Sequence, residues 1–214
     1  SGKDDGMSFE AVCEYIDSKY IDSKYIDSKY NKLHIILAGI GMGNDACMTK
    51  AVSDAIESAD IILGASRMIE KYSAKIEKKP YYLAEQIIPY LHEICEDTEK
   101  FSNVLILFSG DTGFYSGSRK LYLAIKNEIT EGKLNAAVSI LPGISSVSYM
   151  AAATGETYSD AYICSIHGVK LSNITSRISC HAKTFMLMSG VKDVNMLGQL
   201  LSSDERYGLQ NSSV

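Results

Sequence analysis

The sequence contains no CxxC pair, and its five cysteines are scattered along the chain. Closely spaced cysteine pairs are the usual signature of zinc sites, and an even number at regular spacing is typical of a disulfide framework. Isolated cysteines in odd number are instead typical of reduced thiols in a cytosolic protein. We therefore expect neither a structural disulfide nor a bound metal.

Excess positive charge and long apolar runs are also absent. The formal net charge is −5, and no stretch concentrates lysine and arginine as a phosphate-binding surface would require. No apolar run approaches the length of a membrane-spanning helix, and the first residues do not form a signal-peptide pattern. The sequence thus predicts a cytoplasmic protein that binds neither nucleic acid nor membrane.

The first 32 residues differ in character from the rest of the chain. The pentapeptide Ile-Asp-Ser-Lys-Tyr repeats without interruption over residues 16–30. A five-residue period keeps its apolar residues on neither one face of a helix nor one face of a strand. Solenoid repeats run to about 20 residues or more, so a repeat architecture is excluded. We interpret residues 1–32 as a loose or tag-like extension.

After this extension, apolar runs alternate with segments of helical periodicity. Residues 33–38 and 104–108 are continuous apolar runs, as expected of strands buried on both faces of a sheet. Residues 49–58 carry apolar side chains at helical spacing. This alternation predicts an α/β fold with a parallel sheet. We predict an N-terminal α/β domain at residues 33–143 and a smaller α/β domain with a mixed sheet at residues 144–214.

Three of the predicted strands lead into loops that contain glycine. These loops are residues 39–43, 109–114 and 142–146. The carboxyl ends of parallel strands lie along one edge of a sheet, where open α/β folds bind their ligands. Glycine lets backbone amides approach a ligand because it has no Cβ. The three loops together predict a shared site for a small molecule.

The first of these loops lacks the spacing of a dinucleotide-binding motif. Gly39, Gly41 and Gly43 alternate with other residues, whereas the dinucleotide fingerprint is GxGxxG. The second predicted strand ends at Leu63, and no acidic residue follows it directly to accept a ribose hydroxyl. NAD binding is therefore disfavoured. Taken alone, this loop is explained at least as well by a tight turn between strand and helix.

Four motifs carry a resemblance to a known family. They are LAGIG at residues 37–41, ADIILG at 59–64, SGDTGFY at 109–115 and LPGISS at 141–146, with a weaker fifth, SIHG, at 165–168. In this combination the chain resembles the tetrapyrrole methylases, which use S-adenosylmethionine in corrin and sirohaem synthesis. The aspartate loop and the Pro-Gly-Ile-Ser-Ser string are the specific parts of the resemblance.

The resemblance implies a two-domain methyltransferase with S-adenosylmethionine as its cofactor. In the family, the positions that match Ser109, Gly110 and Asp111 contact the cofactor, and the position of Phe114 walls its pocket. The family more often has proline where Thr112 stands. The remaining cofactor-binding positions implied by the resemblance are Met42, Ser145, Ser146, Met188 and Ser189.

Simpler explanations remain open for parts of this site. Asp111 could cap the following helix, although a cap does not account for the flanking glycines or for the adjacent Phe114 and Tyr115. The loop at residues 142–146 could act as a hinge and helix N-cap, and that role is compatible with cofactor binding.

The substrate implied by the resemblance is an anionic corrinoid, cobalt-precorrin-7, methylated at carbon 5. Its acetate and propionate groups need local cations in an acidic protein. The substrate-binding candidates are Gly41, Arg119, His167 and Lys170. A lone histidine after a predicted strand is as often a structural hydrogen-bonding residue. The family also often has arginine where Val169 stands.

The resemblance also implies partners for the chain. The family is commonly homodimeric, and a separate protein is expected to carry out the methylation at carbon 15 with decarboxylation. In the family, the second domain ends with further strands and a helix, and this sequence ends at Val214 before them. We therefore expect a C-terminal domain that is truncated relative to the family.

We assign no catalytic residue from the sequence. Methyl transfer from a sulfonium needs little acid–base catalysis, and holding the reactants in line about 3 Å apart, away from water, can supply much of the acceleration. Three other functions stay open. The first is another tetrapyrrole methylase activity, for example methylation of uroporphyrinogen. The second is a nucleotide-binding oxidoreductase, and the third is an inactive binding or assembly subunit.

Overall fold

A computed structural model describes residues 32–97, 100–166 and 174–203. The strands of these residues are β1 (Leu33–Gly39), β2 (Ile61–Leu63), β3 (Glu77–Lys79), β4 (Asn103–Phe108), β5 (Ala136–Leu141), β6 (Tyr162–Ser165) and β7 (Thr184–Leu187). The α-helices are α1 (Lys50–Glu57), α2 (Ser66–Ile69), α3 (Ala84–Ile94), α4 (Ser118–Thr130), α5 (Ser146–Thr154), α6 (Ile174–Ile178) and α7 (Val191–Ser203), and a 3-10 helix spans Asp45–Cys47. None of these described helices is both long and apolar enough to cross a membrane.

The first five strands form one sheet in the order β3-β2-β4-β1-β5. Strand β2 pairs in parallel with both of its neighbours, so that Ile61 lies opposite Glu77 on one side and Val104 on the other. Strands β1, β2 and β4 bury most of their residues, as expected of the three inner strands of this sheet. The α/β fold with a parallel sheet that the sequence predicts is confirmed.

The chain divides into two compact units. Unit 1 takes in the described residues up to Leu37, together with Ala55–Ile106 and Lys120–Ile140. Unit 2 consists of Ala38–Asp54, Leu107–Arg119 and the described residues from Leu141 onward. Strands β1, β4 and β5 and helices α1 and α4 contribute residues to both units. The division into domains 33–143 and 144–214 stays a prediction.

Unit 1 is built around aliphatic side chains of the sheet and of helix α3. Ile61 and Ile106 are fully buried. Helix α3 buries Ile87, Leu91 and Ile94, which occupy one helical face because they are spaced four and three residues apart. The buried side chains of this helix and of the strands form the aliphatic core of unit 1.

The C-terminal part of unit 2 contains a second, smaller sheet. Strands β6 and β7 run parallel, and Tyr162 pairs with Thr184 while Ser165 pairs with Leu187. Apolar side chains from β6, α6, α7 and the residue after β6 form a core cluster, which consists of Cys164, Ile166, Ile174, Leu197 and Leu201. The small sheet and helices α6 and α7 therefore share one apolar core.

Candidate ligand-binding site

The loops that follow β1, β4 and β5 meet within unit 2. The backbone nitrogen of Gly41 donates a hydrogen bond to the carbonyl oxygen of Gly110 at 3.0 Å, and the nitrogen of Gly110 donates to the oxygen of Gly41 at 2.8 Å. The nitrogen of Ile40 donates to the oxygen of Phe108 at 2.9 Å. The first loop is thus held to the second by paired backbone hydrogen bonds.

Two glycines allow the third loop to join this junction. A Cβ on Gly39 would lie 2.6 Å from the oxygen of Gly110 and 2.9 Å from the nitrogen of Gly143. A Cβ on Gly143 would lie 2.6 Å from the oxygen of Gly39 and would also collide with Gly110. The sequence analysis explained the glycines of these loops by the close approach of a ligand. The structure shows that Gly39 and Gly143 are needed for another reason, because the loop backbones contact each other at these positions.

Gly110 differs from these two glycines. Its φ is +70°, a left-handed conformation that side chains other than glycine rarely adopt, and no described atom lies within 4 Å of the place where a Cβ would stand. The backbone at Gly110 therefore faces open space on the side where its Cβ would project. Gly39, Gly41 and Gly143, the other glycines in contact at this junction, have no such space.

The carboxylate of Asp111 connects the second loop to the third. Its Oδ1 accepts a hydrogen bond from the backbone nitrogen of Gly143 at 3.3 Å. Its Oδ2 is directed toward Gly113, where a Cβ would stand 3.4 Å away. Helix α4 begins only at Ser118, and the carboxylate bonds to another loop instead of capping that helix. Asp111 is half-buried, and both of the hydrogen bonds that it accepts from described residues are made to Oδ1.

The third loop ends in a helix N-cap. The Oγ of Ser145 accepts a hydrogen bond from the backbone nitrogen of Ser148 at 3.1 Å and lies 2.9 Å from the Oγ of Ser148. Ser146 is the first residue of helix α5, and both Ser145 and Ser146 are half-buried. The N-cap role expected from the sequence is confirmed, and it occupies the Ser145 hydroxyl.

Aromatic and sulfur-containing side chains also belong to these loops. Phe114 is half-buried and packs edge-on against Tyr115, with ring centroids 4.8 Å apart and an interplanar angle of 87°. Tyr115 has a φ of +47° although it is not glycine, and its side chain is 58% exposed. Met42 is 43% exposed, and Ser109 is exposed. These side chains leave apolar surface open beside the glycine junction.

The remaining predicted site residues take no part in the hydrogen bonds that join the three loops, or they lie outside the described residues. Arg119 is exposed in the first turn of α4. Met188 packs against the C-terminal core cluster, and the backbone nitrogen of Ser189 donates to Oδ2 of Asp193 at 2.8 Å. The predicted substrate-binding residues His167 and Lys170 lie outside the described residues. The structure thus brings together the positions of the three loops and gives Met188 a packing role.

Sequence reasoning missed two buried hydroxyl residues, Thr112 in the second loop and Ser118 at the start of α4. Thr112 is 7% exposed and Ser118 is 1% exposed. The Oγ of Ser118 donates to the carbonyl oxygen of Thr112 at 2.6 Å, and the Oγ1 of Thr112 donates to the carbonyl oxygen of Leu141 at 3.2 Å. The sequence signal that could have pointed to them is the hydroxyl residue at Thr112, where the resembling family more often has proline.

Other kinds of chemistry find little support in the part of the chain that the structure describes. It holds no group of three His, Cys, Asp or Glu side chains that could bind a metal ion. Burial raises the pKa of the Cys164 thiol, although the charge of Arg177 opposes the shift. A thiol with a raised pKa stays protonated and is a poor nucleophile. The site is therefore one of backbone amides, hydroxyls and a single carboxylate, suited to binding and orienting a polar small molecule.

Comparison with known proteins identifies the family. The sequence matches the family model described as Tetrapyrrole (Corrin/Porphyrin) Methylases over residues 34–211. The chain belongs to the tetrapyrrole methylases. It is accordingly a member of a methyltransferase family, and the matched range contains all three of the glycine-bearing loops.

Individual relatives agree with this assignment. The chain is 28% identical over 162 residues to a probable cobalt-precorrin-7 C(5)-methyltransferase of Methanocaldococcus jannaschii, covering 74% of this chain and 73% of the relative. It is 30% identical over 122 residues to a cobalt-precorrin-4 C(11)-methyltransferase of the same organism, covering 55% of this chain and 44% of the relative. These two relatives methylate different carbons, according to their names.

A solved structure shows the same fold. The uroporphyrin-III-C-methyltransferase of Thermus thermophilus superposes with a TM-score of 0.56 at 16% sequence identity, covering 78% of this chain and 71% of that chain. At this identity the likeness concerns the fold alone. It agrees with the α/β architecture built around the parallel sheet.

Proposed function

We propose that this chain transfers a methyl group from S-adenosylmethionine to carbon 5 of cobalt-precorrin-7 in cobalamin biosynthesis. The supporting comparison is the likeness to the C(5)-methyltransferase over about three quarters of both chains. The observation that carries the proposal is the junction of three strand-end loops around Asp111 in a chain of this methylase family. That junction lies where open α/β folds bind small molecules.

The residues of the junction fit the donor groups of S-adenosylmethionine. The cofactor carries an ammonium group and ribose hydroxyls, all of which donate hydrogen bonds. The Oδ2 of Asp111 is a charged acceptor, and hydrogen bonds to charged groups are stronger than those between neutral ones. The open backbone beside Gly110 leaves room for a chain such as the methionine part of the cofactor. Ser109, Phe114, Met42 and Ser146 are the further contacts that we propose, with Ser145 acting through its cap.

The cofactor supplies a methyl group on a positively charged sulfur, which an electron-rich ring carbon can accept. The chain's own contribution is to bind, to orient and to exclude water. In this proposal, Asp111 orients the polar end of the cofactor, and Phe114 and Met42 provide apolar walls beside it. The transfer breaks the sulfur–methyl bond and releases S-adenosylhomocysteine, and we assign no side chain to accept the proton that the methylated ring then loses.

Substrate binding is proposed for residues that can meet carboxylates. Arg119 is exposed, stands in the first turn of α4 and directly follows Ser118, which is bonded to the aspartate loop. His167 and Lys170 are proposed from the sequence alone. Gly41 is proposed from the family resemblance alone, because the carbonyl oxygen of Cys47 would lie 2.5 Å from its Cβ position. In a chain of net charge −5, these local cations would offset repulsion between the protein and an anionic corrinoid.

A second candidate is methylation of another ring carbon within the same family. The likeness to the C(11)-methyltransferase is slightly higher in identity but covers only about half of this chain. Regiochemistry depends on how the macrocycle lies against the loops, and the shared loop motifs do not determine that placement. The wider coverage of the C(5) relative is the reason for preferring carbon 5.

Partners are also part of the proposal. We propose a homodimer, because helix α5 leaves the apolar side chains of Tyr149 and Met150 largely exposed. We also propose a second enzyme that methylates carbon 15 with decarboxylation. That enzyme would either supply the corrinoid substrate of this chain or use its product. The scattered cysteines support a reducing cytoplasmic location.

The direct test is product analysis. Purified protein would be incubated with cobalt-precorrin-7 and S-adenosylmethionine labelled with carbon-13 at the methyl group. The proposal predicts a product heavier by one labelled methyl, with the NMR signal assigned to carbon 5. A label on another ring carbon supports the second candidate. Tight S-adenosylhomocysteine binding without any methylated product would support an inactive binding subunit.

A further inference from the structure

Two hydroxyl side chains at the aspartate loop are buried. Thr112, in the loop between β4 and α4, is 7% exposed, and Ser118, the first residue of α4, is 1% exposed. Burying a hydroxyl is unfavourable unless it is hydrogen-bonded, so the partners of these two side chains show what the burial achieves.

The two hydroxyls act in sequence on two backbone carbonyls. The Oγ of Ser118, at the start of α4, donates to the carbonyl oxygen of Thr112 at 2.6 Å. The Oγ1 of Thr112 donates to the carbonyl oxygen of Leu141, the last residue of β5, at 3.2 Å, and the Oδ1 of Asp111 is a more distant acceptor at 3.5 Å. We call the side chains of Thr112 and Ser118 the hydroxyl latch. It links the first turn of α4, through the aspartate loop, to the end of strand β5, which is separated from β4 in the sheet by β1.

The Thr112 hydrogen bond lies next to the hydrogen bond between Asp111 and Gly143. Thr112 directly follows Asp111, and Leu141 lies two residues before Gly143, whose nitrogen donates to the Asp111 carboxylate. The two loops are therefore joined at two adjacent points, one through the Thr112 hydroxyl and one through the Asp111 Oδ1. With both points fixed, the carboxylate has little freedom to turn away from the junction.

We propose that Thr112 and Ser118 are positioning residues that hold Gly110 and Asp111 in their binding conformation before the cofactor arrives. The inference rests on the proposed function, because it concerns affinity for S-adenosylmethionine at the same loop. Ordering a backbone residue costs conformational entropy, so a loop that is already ordered binds more tightly than one that must order on binding. The latch touches neither the cofactor nor the substrate in this proposal.

The test uses the whole chain and S-adenosylhomocysteine, measured by isothermal titration calorimetry. Thr112→Val has nearly the same shape but cannot donate to Leu141, and we expect its dissociation constant to rise about tenfold, as loss of one hydrogen bond near 1.4 kcal/mol would give. Thr112→Ser keeps the hydroxyl, and we expect an affinity within about twofold of the wild type. Ser118→Ala removes the other half of the latch and should also weaken binding.

The matched control is Thr130→Val. Thr130 also donates its hydroxyl to a carbonyl oxygen, that of Lys126 at 2.8 Å, but it lies exposed at the end of α4. We expect this variant to bind S-adenosylhomocysteine as the wild type does. Hydrogen exchange of the free protein gives a second readout. Amides of residues 109–114 should lose protection in Thr112→Val and retain it in Thr112→Ser.

The outcomes separate the inference from the proposed function. Wild-type protein that fails to bind S-adenosylhomocysteine contradicts the proposed function and, with it, a role of the latch in cofactor binding. If the wild type binds and Thr112→Val binds equally well, only the latch is contradicted. A lower melting temperature with unchanged affinity would mean a purely structural role and also overturns the inference. Should Thr112→Val fail to fold, the same comparison is made with Ser118→Ala.

Discussion

The backbone nitrogen of Gly143 donates a hydrogen bond to the Oδ1 of Asp111 across 3.3 Å. The two residues are far apart in the sequence, and each follows a different strand of the sheet. The bond explains why an aspartate stands in this loop without capping a helix. It also leaves the Oδ2 of the same carboxylate available, so one side chain can organise the loop junction and bind a ligand.

Adding a methyl group at Gly39 should destabilise the protein. The Cβ of Gly39→Ala would meet the backbone of Gly110 and Gly143, which cannot move as a flexible side chain would. Overpacking of this kind typically costs about 1 to 3 kcal/mol in the free energy of unfolding. Urea denaturation of wild type and variant measures the difference.

The control for this prediction is Gly198→Ala. Gly198 lies inside helix α7, and no described atom lies within 4 Å of the position of its Cβ. Alanine is the better helix former by about 1 kcal/mol, so this variant should be as stable as the wild type or more stable. If Gly39→Ala were equally well tolerated, the three loop backbones would not be in the contact described above.

Removing the N-cap of α5 should also lower stability. Ser145→Ala loses the acceptor for the backbone nitrogen of Ser148, and loss of such a cap costs about 1 kcal/mol. Ser145→Asp keeps an acceptor and should recover most of the loss. Ser202→Ala, which removes an exposed hydroxyl in α7, is the control. Equal melting temperatures for all three variants would argue against the cap.

Part of the pH dependence of stability should come from His34. Burial lowers the pKa of this β1 side chain from its usual value of 6.5. The His34 imidazole therefore binds a proton less readily in the native state than in the unfolded state. Its contribution to the free energy of unfolding is fully present at pH values above the unfolded-state pKa. It is lost as the pH falls through about 6.5 toward the lower, native pKa.

His34→Gln removes this titration. Between about pH 7.5 and pH 5.5, the free energy of unfolding should fall less in the variant than in the wild type. Urea titrations at several pH values measure both slopes, and the difference between them cancels groups common to both proteins. If the free energy of unfolding changed with pH equally in wild type and His34→Gln, the native and unfolded states would protonate His34 equally well, which would contradict the prediction.

The extension with the pentapeptide repeat should not be needed for ligand binding. Its five-residue period matches neither a helix face nor a strand face. The sheet begins at Leu33, whose backbone nitrogen already donates to the oxygen of Asn135 at 3.2 Å. We expect a variant lacking residues 1–32 to keep its melting temperature and its affinity for S-adenosylhomocysteine within about twofold. Loss of both would show that the extension belongs to the fold.

The sequence predicts the inner strands well because burial on both faces demands continuous apolar runs. The run at residues 104–108 is observed as β4, Asn103–Phe108. The edge of the sheet is harder to predict. The edge strand β3 is Glu77–Lys79, a charged segment of the kind that protects sheet edges from unwanted pairing. An edge strand needs no apolar run, so hydrophobicity alone misses it.

At the site too, features set by neighbouring residues are predictable from the sequence, whereas contacts between distant segments are not. The Ser145 cap follows from neighbouring residues, and it was predictable. The contact of Gly39 with Gly110 and Gly143 depends on how separate strands are ordered in the sheet, and the sequence does not state that order. The burial of Thr112 is likewise a tertiary property, since a threonine between aspartate and glycine is ordinarily expected at the surface of a turn.

The central claim is that the aspartate loop binds S-adenosylmethionine, and calorimetric titration of S-adenosylhomocysteine into wild type and Asp111→Ala tests it most directly. The control is Asp54→Ala, which removes an exposed carboxylate paired with Lys50 in the same unit. We predict that Asp111→Ala weakens binding at least about tenfold, because it loses a charge-assisted acceptor, while Asp54→Ala binds as the wild type does. Equal affinity of the wild type and Asp111→Ala would contradict the account.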